Sequence, residues 1–268
     1  ICSNDEGFTK EPDLMGQATV KGASDTGEGY GASRDVDHTH TTVQQGIVDW
    51  MNNVLKPAGF VGWRYDYVKG FAGDYVGYYN AMSDAAFSVG EYWPDSGDWA
   101  SLLNNWVEDT GKTVNGQAGK QSRAFDFVLK GIFNDVFGCG NSSSNVAGKG
   151  SANYALLNDA NIICRRLPGY AVTFVDNHDT GSTQRQWYIN PDGIAPAYAY
   201  ILTHPGYPSV AWYHYFDGED CPTDSQNQYI GGETVPDTSL TYKQYIKKLV
   251  ELRSTLNITD MSTINVIQ

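Results

Sequence analysis

Five short apolar runs, each separated from the next by a stretch of different character, restrict this chain to few folds. The runs are FVGWRYD (60–66), AFSVGEYW (86–93), RAFDFVL (123–129), YAVTFVD (170–176) and PSVAWY (208–213). Runs of this length and apolarity read as strands, that over 170–176 as a buried one. Helical segments alternate with them. Val43, Ile47, Trp50, Met51 and Val54 repeat at helical spacing and predict a helix over 42–56, with Thr41 or Thr42 as its cap. Further helices are expected over roughly 72–84, over 193–203 and, most clearly, over 242–256 (YKQYIKKLVELRSTL). Strands alternating with helices imply a parallel sheet with right-handed crossovers.

Five strand–helix units do not close an eight-stranded barrel. The sheet is therefore an open doubly wound one or part of a barrel. An open nucleotide-binding sheet wants a glycine-rich turn after a strand, and no strand end here carries one. Residues 1–41, rich in Gly, Asp, Ser and Thr, read as a long loop or a small irregular subdomain, and 138–152 (GCGNSSSNVAGKGSA) as a surface loop. No internal repeat or linker divides the chain.

Partners are narrowed by charge. The chain carries 18 basic and 31 acidic residues, a net −13, the wrong sign for a polyphosphate partner or an anionic membrane. No stretch is apolar over a length that spans a bilayer, and no signal peptide is visible. Cys2, Cys139, Cys164 and Cys221 are too widely spaced for a zinc site; they form one or two disulfides or remain four buried thiols.

The chemistry lies at the strand ends, where parallel α/β folds place their functional groups. FVGWRYD ends on Asp66, the second run carries Glu91, and the fourth continues through Asp176 to His178 and Asp179. A single acid in such a place is usually a helix cap; three in one sheet favour a site. Arg64 precedes Asp66 by two residues, so on a strand the two share a face. Its guanidinium can orient the carboxylate as a nucleophile requires, or form a structural ion pair. Glu91 lies beside Tyr92 and Trp93 with no cation within two residues, a setting that suits a general acid. Paired carboxylates without an evident metal set point to glycoside hydrolysis. The third acid would stabilise an oxocarbenium-like transition state.

GWRYD, VGEYW and FVDNHDTGS resemble, in order, the second, third and fourth conserved regions of the α-amylase family of glycoside hydrolases. DTGEGYGASRDVDH, GWRYDYVKGF, FVDNHDTGSTQ and YAYILTHPGYP resemble its plant-type members and related microbial ones. The resemblance covers nearly the whole chain and is weakest over 95–120, 138–165 and 217–240. It implies an incomplete (β/α)8 TIM barrel comprising the fourth to eighth strands. Residues 1–41 would be the end of domain B, 42–258 the barrel and 259–268 the start of the carboxyl-terminal β-sandwich. The first three strands, the first conserved region, most of the sandwich and any signal peptide would lie outside this fragment.

Residue by residue, the resemblance implies that Asp66 is the nucleophile, Glu91 the general acid/base and Asp179 the third acid. Arg64 and His178 fall at supporting positions, Lys69 at a sugar contact on the leaving-group side, and Trp187 at an aromatic contact. A structural Ca2+ would take carboxylates of Asp25 and Asp35 and backbone carbonyls of Glu28 and Gly70, hard oxygen donors of the kind calcium prefers. Arg34 departs from the family's proline before Asp35, and Gly29 stands where plant-type members have an acid. The implied protein is a secreted, extracellular enzyme, monomeric at full length. It would carry out retaining endo-hydrolysis of α-1,4-glucosidic bonds in starch, glycogen and maltooligosaccharides, with no nucleic-acid or membrane partner. The alternatives are a maltooligosaccharide-forming exo-amylase or α-glucan transferase of the same family, or a non-catalytic glucan-binding relative. A metal-dependent hydrolase is disfavoured because the five histidines are scattered.

Overall fold

The computed structural model describes residues 27–28, 36–143, 147–181, 184–217 and 229–264. The chain divides into two compact units, residues 1–124 and 125–268.

In the first unit, helix α1 (Thr41–Trp50) runs into a wider turn at Met51–Leu55. Its cap is His40, whose Nδ1 accepts from the Thr42 N–H at 3.1 Å, rather than Thr41 or Thr42. The expected helix lies where the periodicity puts it, but Trp50 and Val54 of its apolar set are 54% and 55% exposed. Val48 and Met51 face inward and form a cluster with Trp63, Tyr79 and Ala85. That cluster seats α2 (Gly73–Met82) against strand β1 (Gly62–Tyr65). Strand β2 (Phe87–Gly90) runs parallel to β1, with Gly62 opposite Phe87 and Tyr65 opposite Gly90. Helix α3 (Trp99–Asp109), capped by Asp98, follows, then a two-stranded hairpin of β3 (Thr113–Val114) and β4 (Gln117–Ala118). Asn115 and Gly116 turn that hairpin with φ of 50° and 77°, the paired left-handed conformations of a type I′ turn. The chain returns to pair parallel with β2 through Arg123 and Ala124, the first residues of β5 (Arg123–Phe125).

The boundary between the units falls within β5. The seven-residue strand expected over 123–129 stops at Phe125, because the Asp126 carboxylate caps a helix. It accepts from Leu129 N at 3.0 Å, starting α4 (Phe127–Phe137), and from Cys164 N at 3.0 Å. A short helix α5 (Ile163–Arg166) leads to β6 (Ala171–Phe174), buried along its whole length. Helix α6 (Pro191–Thr203) crosses over to β7 (Tyr207–Ser209), which is parallel to β6. The expected strand over 208–213 is cut short here, since the Ala211 N–H is taken by the Tyr198 hydroxyl at 3.1 Å and a helical turn, α7 (Trp212–Tyr215), begins. Helix α8 (Tyr242–Thr255) opens with a full capping box of Thr241 and Gln244. From its last turn Arg253 donates to the Leu202, His204 and Gly206 carbonyls at 3.3, 2.5 and 2.8 Å, closing the end of α6. Cys139 and Cys164 are free thiols, half-buried and buried; Cys2 and Cys221 lie outside the described residues.

Candidate active site

The ladder between β1 and β2 fixes the geometry at their carboxyl ends. Arg64 stands opposite Val89, and the Glu91 N–H donates to the Tyr65 carbonyl at 2.9 Å, carrying the pairing one step beyond the strands. The same register sets Asp66 opposite Glu91. With the alternation of side chains along a strand, Arg64, Asp66 and Glu91 share one face. Trp63 and Tyr65 take the other and pack with the α1–α2 cluster. The Arg64 guanidinium spans the pair: one terminal nitrogen lies 2.5 Å from Asp66 Oδ1 and the other 3.4 Å from Glu91 Oε1. Glu91 therefore has a cation at hand, brought by the neighbouring strand, where the sequence around it shows none.

The two carboxylates differ in setting. The Asp66 side chain is 74% exposed, that of Glu91 10%. The step from one to the other is made by Tyr67, which adopts a left-handed backbone (φ 47°, ψ 46°) directly after Asp66. That conformation costs a side-chain-bearing residue about 1 kcal/mol or more. It turns the Tyr67 N–H toward Glu91 Oε2 at 3.4 Å and the Val68 N–H toward the Glu91 carbonyl at 3.1 Å. On the strand before Glu91, Gly90 leaves room for a ring: a Cβ there would sit 2.2 Å from Trp106. Trp106 in turn lies 6.2 Å from the Tyr92 ring.

Lys69 is nearly enclosed, with a side chain 6% exposed. It is paired with Asp95 and lies 3.4 Å from the Glu28 carboxylate and 5.1 Å from the Tyr67 ring centre. The ion pair with Asp95 holds its pKa above the usual lysine value in spite of the opposing, larger effect of burial. Glu28 and Gly70 lie together: the Glu28 N–H donates to the Lys69 carbonyl at 2.8 Å, and a Cβ on Gly70 would be 3.8 Å from the Glu28 carbonyl oxygen. Backbone oxygens of this kind fit calcium. They are two donors of the six to eight it takes, and Asp25 and Asp35 lie outside the described residues. Among the described residues no cluster of three or more His, Cys, Asp or Glu side chains has metal-binding geometry.

In the second unit, β6 leads into a tight turn, 176–181. Asn177 Oδ1 accepts from the Asp179 and Thr180 N–H groups at 3.0 and 2.8 Å. The Asp179 carboxylate, 17% exposed, is held by Gln184 and by His178 Nε2 at 3.2 Å. Trp187 is half-buried, with the Lys130 ammonium 5.5 Å from its ring centre. Sequence reasoning passes over Asp95, Gln184 and Lys130. Gln184 is visible five residues after Asp179, but nothing in the sequence links Asp95 or Lys130 to these strand ends.

No family model matches the chain. Probable alpha-amylase 2 of Arabidopsis thaliana is 31% identical over 263 residues, covering 92% of this chain and 54% of that protein. Alpha-amylase 3, chloroplastic, of the same plant is 33% identical over 205 residues, 73% of this chain and 22% of that protein.

The chain belongs to the α-amylase family.

It spans about half the length of the first of these relatives and less of the second. A bacterial member, glucan 1,4-alpha-maltotetraohydrolase of Roseateles saccharophilus, is 29% identical over 70% of the chain and 33% of its own length. Solved α-amylase-family structures share the fold. A cyclomaltodextrin glucanotransferase aligns with a TM-score of 0.56 at 18% identity, over 94% of this chain and 47% of the other. An α-amylase from Malbranchea cinnamomea aligns with a TM-score of 0.53 at 16% identity, over 83% and 42%. The fold of this α-amylase-family chain is accordingly that of an α/β barrel, in the part that these residues represent. Among the described residues no helix is long and apolar enough to cross a membrane.

Proposed function

We propose that the chain is the catalytic part of a retaining α-amylase that cleaves internal α-1,4-glucosidic bonds of starch, glycogen and maltooligosaccharides. The observation that carries this reading is the Arg64 guanidinium shared by Asp66 and Glu91 at the ends of adjacent parallel strands. Retaining glycosidases need two carboxyl groups about 5–5.5 Å apart, inverting ones about 6.5–9.5 Å. Two carboxylates served by one planar fork favour the closer spacing.

Asp66, exposed and oriented by Arg64, is the nucleophile that forms the glycosyl-enzyme. Glu91, sheltered and hydrogen-bonded by the backbone after Asp66, protonates the leaving oxygen and then activates water. Asp179, Arg64, His178, Lys69 and Trp187 contact or support the glucan. Lys69, enclosed by Asp95 and Glu28, would do so with little free surface. The relative named for maltotetraose release favours, as a second reading, an exo-acting enzyme that forms maltooligosaccharides. We further propose a structural Ca2+ held by Asp25, Glu28, Asp35 and Gly70, tying the segment around Glu28 to the loop after β1, and secretion as a monomer.

Reducing-end release from soluble starch tests the first claim. Asp66→Asn and Glu91→Gln should each fall to background with melting temperatures near that of the parent. Near-normal turnover in Asp66→Asn would show that the nucleophile is elsewhere. For calcium, a chelator should lower the melting temperature, because a ligand that binds only the native state stabilises it by mass action. An unchanged melting curve would remove the calcium proposal.

A further inference from the structure

The chemistry proposed for the second unit makes no use of its buried ion pair. The Lys130 side chain, on α4, is 0% exposed and that of Asp176, just after β6, 2%. Burying an ion pair rarely repays its desolvation in stability, and an apolar pair of similar volume often does as well. The hydrogen bonds show what this pair does instead.

Lys130 Nζ donates to Asp176 Oδ1 at 2.6 Å and to Asn134 Oδ1 at 2.8 Å. From Asp176 the connection runs upward. Its Oδ1 also accepts from the Thr180 hydroxyl at 2.9 Å, and that hydroxyl accepts from the Asn177 N–H at 2.9 Å. From Asn134 it runs sideways: Nδ2 donates to the Trp187 carbonyl at 3.1 Å. The two branches meet, because the Trp187 N–H donates to the Thr180 carbonyl at 3.0 Å. Lys130, Asp176, Thr180, Trp187 and Asn134 thus form a closed ring of hydrogen bonds. The ammonium also lies 5.5 Å from the Trp187 ring centre, within reach of a cation–π contact. Just outside the ring, the Gln186 N–H donates to the Asp179 carbonyl at 3.0 Å.

We infer that Lys130 is a positioning residue: one buried ammonium sets both the turn that carries His178 and Asp179 and the segment that carries Trp187. The inference rests on the reading of Asp179 and Trp187 as glucan contacts. A buried ammonium suits the task because its three hydrogens have no water to turn to. The two acceptors that it joins, just after β6 and on α4, are therefore locked relative to each other, and through them the turn and the ring. Small displacements at such positions cost about 100-fold in rate.

The test uses the full-length protein and a chromogenic maltooligosaccharide. Lys130→Met removes the ammonium at nearly constant length but strands Asp176, so its folding can suffer. The companion variant Lys130→Met/Asp176→Asn removes both charges and should melt within about 5 °C of the parent, as an uncharged buried pair allows. Its kcat/KM should nevertheless fall about 10- to 100-fold, with kcat lowered through Asp179 and KM raised through Trp187. In a Trp187→Ala background the same pair of changes should leave KM nearly unmoved, since residues in one network do not add. A folded double variant with parental kcat and KM, beside an inactive Asp179→Asn, overturns this inference alone. Equal fold-losses in both backgrounds do the same, since that is how a residue acting only on stability behaves. An unaltered full-length protein without glucan hydrolysis, or a fully active Asp179→Asn, overturns the functional reading and this inference with it.

Discussion

His214 gives the second unit a pH dependence whose sign and size follow from its surroundings. It lies in α7, 3% exposed, with Nδ1 2.9 Å from the Tyr198 hydroxyl. Burial is the main influence on it and pulls its pKa from the ordinary 6.5 to about 4; the Asp176 carboxylate opposes this and the Lys130 ammonium adds to it. The folded protein therefore keeps His214 neutral where the unfolded chain already protonates. Its contribution to stability is fully present above the unfolded pKa and is lost as pH falls from about 6.5 to 4. At 1.36 kcal/mol per pH unit the loss comes to about 3 kcal/mol. Asp126 works the other way. Burial raises its carboxyl from 3.8 to about 6, so the native state binds a proton before the unfolded chain does and gains stability as pH falls over much the same range. In the parent protein the two effects nearly offset each other. The comparison that isolates His214 is urea unfolding of the parent and of His214→Gln, whose amide can still meet Tyr198, at intervals from pH 7.5 to 4. The difference in unfolding free energy should move against the parent by about 3 kcal/mol between pH 7 and 4. A difference independent of pH would refute the reasoning, since other titrating groups cancel between the two proteins.

Three more substitutions probe the first unit and α8. In Arg64→Met the loss of the Asp66 pair should cost under about 1 kcal/mol in unfolding free energy, because Arg64 is 36% and Asp66 74% exposed and such pairs are screened; leaving the sheltered Glu91, 10% exposed, without its cation adds to that cost. The substitution should still lower kcat about 100-fold or more, which separates orientation from stability; equal losses in both would contradict the assignment. Gly90→Ala places a Cβ against the Trp106 ring and should destabilise by about 1–3 kcal/mol, with Glu91 displaced and kcat reduced; an unchanged melting temperature would show that the ring gives way freely. Thr241→Ala removes one half of the capping box of α8 and should cost about 1 kcal/mol in thermal unfolding without touching kcat.

The order of strands and helices was legible because apolar runs of strand length and 3.6-residue periodicity are local signals. The acids at Asp66, Glu91 and Asp179 could be picked out for the same reason, as charges directly after apolar runs. The misreadings have local physical causes too. Asp126 looked like a polar residue within a strand but is a helix cap, and its carboxylate ends β5 at Phe125. Asn115-Gly116 carried a hairpin signal that the short, weakly apolar flanks of β3 and β4 hid. What no sequence pattern shows is register. Arg64 reaches Glu91 only because β1 and β2 align Arg64 with Val89, a long-range choice made by the packing of α1 and α2. Lys130 stayed hidden for a related reason: its partner Asp176 is 46 residues away, and Lys130 looks like an ordinary surface charge until the fold buries it.

The central claim is that Asp66 attacks the anomeric carbon and holds the sugar covalently. Trapping tests it most directly. A Glu91→Gln variant of the full-length protein, given an activated fluorinated glucosyl donor, can form the glycosyl-enzyme but hydrolyses it slowly. Mass spectrometry of the digested protein should then find one glucosyl adduct, on Asp66. The parent enzyme should release its first product from maltoheptaose as the α-anomer, as double displacement requires. An adduct on another carboxylate, or a first product in the β-configuration, would contradict the account.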